Sequence, residues 1–221
     1  MRRKTLAGVL VGLIGTSALA SEYVHDFTKR AEVSEVRYLS EKLKDSMISE
    51  IGLRDPGIPV SVELYDEGTF RRMVSEYQKE GELIGQDPPT IMDKFYRGEK
   101  LSRAVIKLRN NLVEERKFTG KPLTLDVALL DTAHEWGHII GNNKDKVREE
   151  ALAMLWDLYA IEFLQERSEH FRKFSKVTPR DYVPGLGNLS ENEEAYRIVE
   201  HALEEYGSAK NAFIGLIRIS L

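Results

Sequence analysis

Apolar positions along the chain fall into two periods. From residue 21 to residue 53, Val36, Leu39, Leu43, Met47, Ile48 and Ile51 form the stripe of an amphipathic helix, with Ser34 as its N-cap. Asp55-Pro56-Gly57 marks a turn, and Pro59 to Leu64 then alternates in the manner of a strand. Residues 67–80 return to helical spacing with Phe70, Met73 and Tyr77. Residues 85–90, with Pro88-Pro89, read as a loop, and 91–97 fit neither period cleanly. Ala104-Val105-Ile106-Lys107-Leu108 reads as a strand, flanked by Arg103 and Arg109. Leu125, Ala128, Leu129 and Ala133 repeat at helical spacing behind Pro122 and a candidate cap, Thr124; Gly141-Asn142-Asn143 reads as the stop. Gln165 to Lys176 is a charged helical stretch with Phe171 and Phe174, and 178–187 a loop holding Tyr182. Ser190 and Glu193 form a capping box for a helix to about Tyr206. Ala212 to Ile217 reads as a core-packing helix, or as a tail lying in a cleft and holding it shut.

These elements describe an α+β chain with a small mixed or antiparallel sheet and mostly helical N- and C-terminal extensions. Its 221 residues suffice for one domain, 21–221, with 21–53 as an N-terminal helical segment. The 42% hydrophobic and 31% charged content is that of an ordinary globular protein, and a net charge of -4 argues against a general nucleic-acid binder. With no cysteine, disulfides and thiolate metal sites are excluded.

Residues 1–20 stand apart. Arg2-Arg3-Lys4 precedes an apolar run from Leu6 to Ala20, and Ala18-Leu19-Ala20 before Ser21 has the small-x-small form of a signal-peptidase site. Such a run spans about 22 Å as a helix, short of the roughly 30 Å hydrocarbon core. That favours a cleaved signal peptide, although extension from Thr5 to Val24 nearly spans and keeps a membrane anchor open. Either way the remainder is expected outside the cytoplasm, secreted or anchored.

The chemistry concentrates at Ala133-His134-Glu135-Trp136-Gly137-His138, which contains His-Glu-x-x-His. Helix positions four apart share a face, so His134 and His138 can grip one metal ion. Glu135 points roughly 100° away around the helix and can reach a water activated by that metal without ligating it. A Zn2+ site of this kind needs a third protein ligand. The position that carries a third histidine in metzincins holds Lys144, so a carboxylate is the better candidate.

Downstream lies Val147-Arg148-Glu149-Glu150-Ala151-Leu152-Ala153-Met154. Over about residues 100–165 the chain resembles the gluzincin branch of zincin-like metallopeptidases, in which a glutamate on the following helix completes the site. The short linker resembles the compact minigluzincins. The resemblance implies a zincin-like fold, zinc-dependent peptidase activity, Glu150 as third ligand and Glu149 as its solvent-facing neighbour. Helix geometry also prefers Glu150, which shares a face with Ala153, Met154, Asp157 and Ile161. Asp157, or less favourably Asp131, is then placed to accept a hydrogen bond from a ligating imidazole.

In zincins the strand before the motif helix edges the cleft, so the resemblance sets an extended peptide substrate along residues 103–109. An interior strand with solvated ends is the competing reading of the same residues. For the oxyanion donor, His170, Tyr182, Tyr196 and His201 qualify by type and no spacing selects among them. Two other functions stay open: a zinc-binding interaction protein without turnover, and a zinc hydrolase of a non-peptide amide such as a cell-wall bond.

Overall fold

A computed structural model of the chain describes residues 25–79, 88–114, 117–173 and 189–220. The leader 1–24 and the loop holding Tyr182 lie outside the described residues. Among those described, no helix is long and apolar enough to cross a membrane.

The N-terminal stripe folds as α1 (Val33–Ile51), with Val36, Leu39, Leu43, Met47 and Ile48 buried. Its N-cap is Glu32, in extended conformation, and Ser34 falls inside the first turn. The stripe begins at Val36, and the chain turns helical early enough to present it whole. Gly52 closes the helix at φ 67, a left-handed conformation that costs glycine nothing. Then follow β1 (Val60–Tyr65), α2 (Glu67–Lys79), β2 (Thr90–Arg97), β3 (Lys100–Arg109) and the β4 (Asn111–Glu114)–β5 (Lys117–Pro122) ribbon. The helices α3 (Leu125–Gly141), α4 (Lys146–Arg167), the short α5 (Glu169–Arg172), α6 (Leu189–Tyr206) and α7 (Ala209–Ser220) complete an α+β chain. Ser168, extended at φ -131, breaks the predicted 165–176 helix, and Ser190 lies within α6 rather than ahead of it.

The main sheet is mixed, in the order β1-β3-β2, with β1 parallel and β2 antiparallel to β3. This corrects the edge reading of residues 103–109. Val60 to Tyr65 pair with Ala104 to Arg109 on one side, and Thr90 to Arg97 pair on the other. No peptide can therefore add to β3. The physical reason lies in its composition: Ala104, Val105, Ile106 and Leu108 are all buried, as in a strand covered on both faces. Strand β2, with Asp93, Lys94, Tyr96 and Arg97, takes an outer position. Its register shifts between Phe95 and Tyr96, a bulge of the kind that marks strand edges.

Helix α4 is the centre of the core, buried without interruption from Ala151 to Ile161. Helix α3 packs on one side of it; α6 and α7 cover another. The C-terminal apolar stretch is thus a core-packing helix, with Phe213 fully buried and its ring 5.0 Å from that of Trp156.

Candidate metal centre

Two helices must approach closely to bring the motif and Glu150 together, and small residues allow it. A methyl group built on Gly137 would lie 2.6 Å from Ala153 Cα and 3.0 Å from its carbonyl oxygen. At the start of α4, Asp145 accepts hydrogen bonds from the amides of Val147 and Arg148, which fixes the first turn where Glu149 and Glu150 sit.

His134 and His138 stand one turn apart on α3, ring centroids 5.0 Å from each other. Both Nε2 atoms face the Glu150 carboxylate: His134 Nε2 lies 3.6 Å from Oε1, and His138 Nε2 lies 3.4 Å from Oε2. All three ligand atoms fall within 4.8 Å of one another. Tetrahedral ligands at about 2.1 Å from zinc are spaced by roughly 3.4 Å, so the carboxylate already sits at coordination spacing from both rings. Glu150 Oε1 is also buried without a hydrogen-bond partner among the described residues. A buried carboxylate oxygen without a donor is costly, and a cation satisfies it. These three side chains can hold a metal ion.

Glu135 is only 7% exposed, and the Thr90 hydroxyl on β2 donates to its Oε1. Glu149 is not solvent-facing, contrary to expectation. Its side chain is 14% exposed, its Oε1 lies 3.5 Å from His138 Nδ1, and Lys94 Nζ on β2 donates to that same oxygen. The first turn of α4 lies against α3, and Lys94 of β2 reaches across to it, so both glutamates are mostly enclosed. The carboxylate set against Nδ1 of His138, the ring nitrogen turned away from Glu150, is thus Glu149.

Electrostatics follow from this crowding. Burial pushes the His138 imidazolium down, but Glu149, Glu150 and Glu135 outweigh it and raise its pKa. Burial likewise pushes Glu149 up, yet His138 and Lys94 hold it below the usual carboxylate range. Asp157 is buried, as its helix face requires. Burial, then the neighbouring Asp157 and Glu135, push the Asp131 carboxyl up to about 8.

The oxyanion candidates among the described residues have partners elsewhere. His170 Nε2 lies 2.9 Å from Asp126 and its ring packs on Phe27, Tyr196 bonds Glu200, and His201 is exposed beside Glu205. Two other residues do gather: Thr90, which the sequence places at the end of the 85–90 loop, and Lys94, from the 91–97 stretch of ambiguous period. Strand alternation sends both to one face, four residues apart. No protein-family model matches the chain, and no curated protein or solved structure matches it either.

Proposed function

We propose that the chain is a zinc-dependent peptidase of the gluzincin kind, in a zincin-like fold, with His134, His138 and Glu150 holding the metal and Glu135 as general base. The observation that carries the reading is the spacing of the two imidazole Nε2 atoms about one Glu150 carboxylate, 3.4 and 3.6 Å. Two imidazoles and a carboxylate suit zinc, and three protein ligands leave the open position that catalytic zinc sites keep. Bound there, the metal supplies charge that acidifies the attacking water and polarises the acyl carbonyl.

The remaining steps belong to side chains of this chain. Glu135 accepts a proton from the attacking water as the oxygen–carbon bond forms. It returns that proton to the amine nitrogen as the carbon–nitrogen bond breaks. Thr90, by donating to Oε1, fixes the carboxylate rotamer and leaves the second oxygen for the water. Since β3 is paired on both sides, an extended peptide is better assigned to the outer edge of β2, which carries Thr90 and borders α3. The basic-apolar leader would deliver this domain outside the cytoplasm.

Glu135→Gln tests the mechanism. It is expected to keep zinc at wild-type stoichiometry and to lose hydrolysis of a peptide library by several orders of magnitude. Hydrolysis that survives the change refutes the role of Glu135. Bound zinc without any cleavage by the wild-type chain selects the non-catalytic zinc protein instead.

A further inference from the structure

Strand β2 reaches the site twice. Thr90 bonds the proposed base, and four residues on, Lys94 bonds Glu149. The second contact continues inward: Glu149 Oε1, which accepts from Lys94, lies 3.5 Å from His138 Nδ1, while the opposite ring nitrogen, Nε2, faces Glu150 at 3.4 Å. We propose that Lys94 is a positioning residue for the metal ligand His138, acting through Glu149. The proposal rests on the metal-site reading above.

The geometry supplies the reasons. An imidazole ligates through one nitrogen, and a hydrogen-bond partner on the other fixes its tautomer and ring angle. With Glu149 beside Nδ1, the proton belongs there and Nε2 is the lone-pair donor turned to the cluster. Glu149 cannot do this alone. It is adjacent to Glu150 on the same first turn, and Glu135 stands on the facing helix. A second glutamate beside the ligands is itself a potential ligand that would close the open position. Lys94 draws Glu149 to the outer side of His138 and offsets one of the negative charges. The pair is set among partly enclosed side chains, 19% exposed for Lys94 and 14% for Glu149, where ion pairs are screened less than at an open surface. Because Lys94 and Thr90 belong to one strand, the base and the ligand are both referred to the same rigid element rather than to mobile loops.

The test measures zinc affinity of the full chain by competition with a chelating dye, so it does not depend on catalysis. Lys94→Met and Glu149→Gln should each weaken zinc binding by about 10- to 100-fold. The double variant should be no weaker than the worse single one, because both break one relay. Lys94→Arg should restore affinity to within about threefold. The metal-free melting temperature guards against a merely unfolded variant. In zinc-loaded protein, the Nδ1–H proton resonance of His138 should move upfield in Lys94→Met and return in Lys94→Arg. Wild-type affinity in Lys94→Met, or losses that multiply in the double variant, overturns the relay while a zinc loss in Glu150→Ala upholds the metal site. A wild-type chain that binds no zinc, or a Glu150→Ala variant that binds it equally well, overturns both.

Discussion

The contact between Gly137 and Ala153 lets a single methyl group test the whole arrangement. In Gly137→Ala the new carbon would meet Ala153 Cα at 2.6 Å, and the Ala153 carbonyl oxygen and Trp156 Cβ at 3.0 Å. Carbon atoms settle at about 3.5–4.0 Å. The neighbouring Ala153 atoms are backbone and cannot rotate aside, so α3 and α4 must part by roughly 1 Å, taking the non-bonded limit as the target. Alanine in a helix interior gains about 1 kcal/mol over glycine, whereas overpacking a core costs about 1–3 kcal/mol and lies at the upper end when backbone is struck. The metal-free chain should lose on the order of 1–2 kcal/mol. At about 2–4 °C per kcal/mol for a domain of this size, its melting temperature should fall by roughly 2–8 °C.

The effect on the metal should be larger than the effect on the fold. Gly137 precedes His138, and Ala153 follows Glu150 by one turn, so the same separation stretches the 3.4 Å gap between His138 and Glu150. Metal–ligand distances tolerate only about 0.2 Å. Zinc affinity should therefore drop by at least about 100-fold, read by dye competition beside calorimetric melts with and without chelator. Gly141→Ala is the control. There the methyl group meets Leu152 Cβ at 3.0 Å and Cδ1 at 3.2 Å, which asks for a shift of a few tenths of an ångström rather than the larger one that 2.6 Å to backbone demands, so both losses should be smaller. A Gly137→Ala variant that melts and binds zinc like the wild type refutes the close-contact argument.

Two further outcomes are expected. Thr90→Val should retain zinc but lower kcat by about 10- to 100-fold at little change in KM, with Thr90→Ser restoring it, because only the orientation of Glu135 is lost; steady-state kinetics on a peptide substrate decide it. Asp131→Asn should alter the pH dependence of stability. The folded carboxyl, pushed up to about 8 from the ordinary 3.8, holds its proton where the unfolded chain has released it, so stability falls as pH rises between those two values. The neutral amide should flatten that fall in denaturant titrations of metal-free protein, and an unchanged slope refutes the assignment.

What the sequence discloses here is what local geometry determines. His134 and His138 are related by one helical turn and name themselves, whereas Glu150 follows from the gluzincin resemblance, with helix geometry preferring it to Glu149. The position of Glu149 depends on something non-local. Its face also carries Leu152 and Trp156, both fully or nearly fully buried, and that was a sign that the face turns inward. Only the crossing of α3, α4 and β2 reveals that the inward direction ends on His138. Strand order is non-local in the same way. The unbroken burial of Ala104, Val105 and Ile106 is the mark of a strand flanked on both faces, and a peptide-binding edge fits the more polar 90–97 better. Pro88-Pro89 draws Thr90 into a loop reading, and Lys94 falls in the 91–97 stretch that fits neither period cleanly, so neither is legible as a site residue from sequence.

The distribution of charge argues for a cation even apart from the ligand geometry. Around the crossing of α3 and α4 stand Glu135, Glu149, Glu150, Asp131 and Asp157, and burial, with Asp157 and Glu135 adding to it, pushes the Asp131 carboxyl up to about 8. Lys94 engages one of these groups, Glu149. Enclosing carboxylates at this density costs free energy that packing alone does not require, since well-packed apolar side chains of similar volume fill such a space at least as stably. Enclosed acids gathered at one place are a common feature of functional sites. A divalent ion between His134, His138 and Glu150 would lie close enough to the acidic group to offset the repulsion. Zinc should consequently raise the melting temperature of the wild-type chain, by mass action on the folded state, and do so less in Glu150→Ala. Equal stabilisation of both by zinc would place the ion elsewhere and remove the electrostatic reason for the cluster.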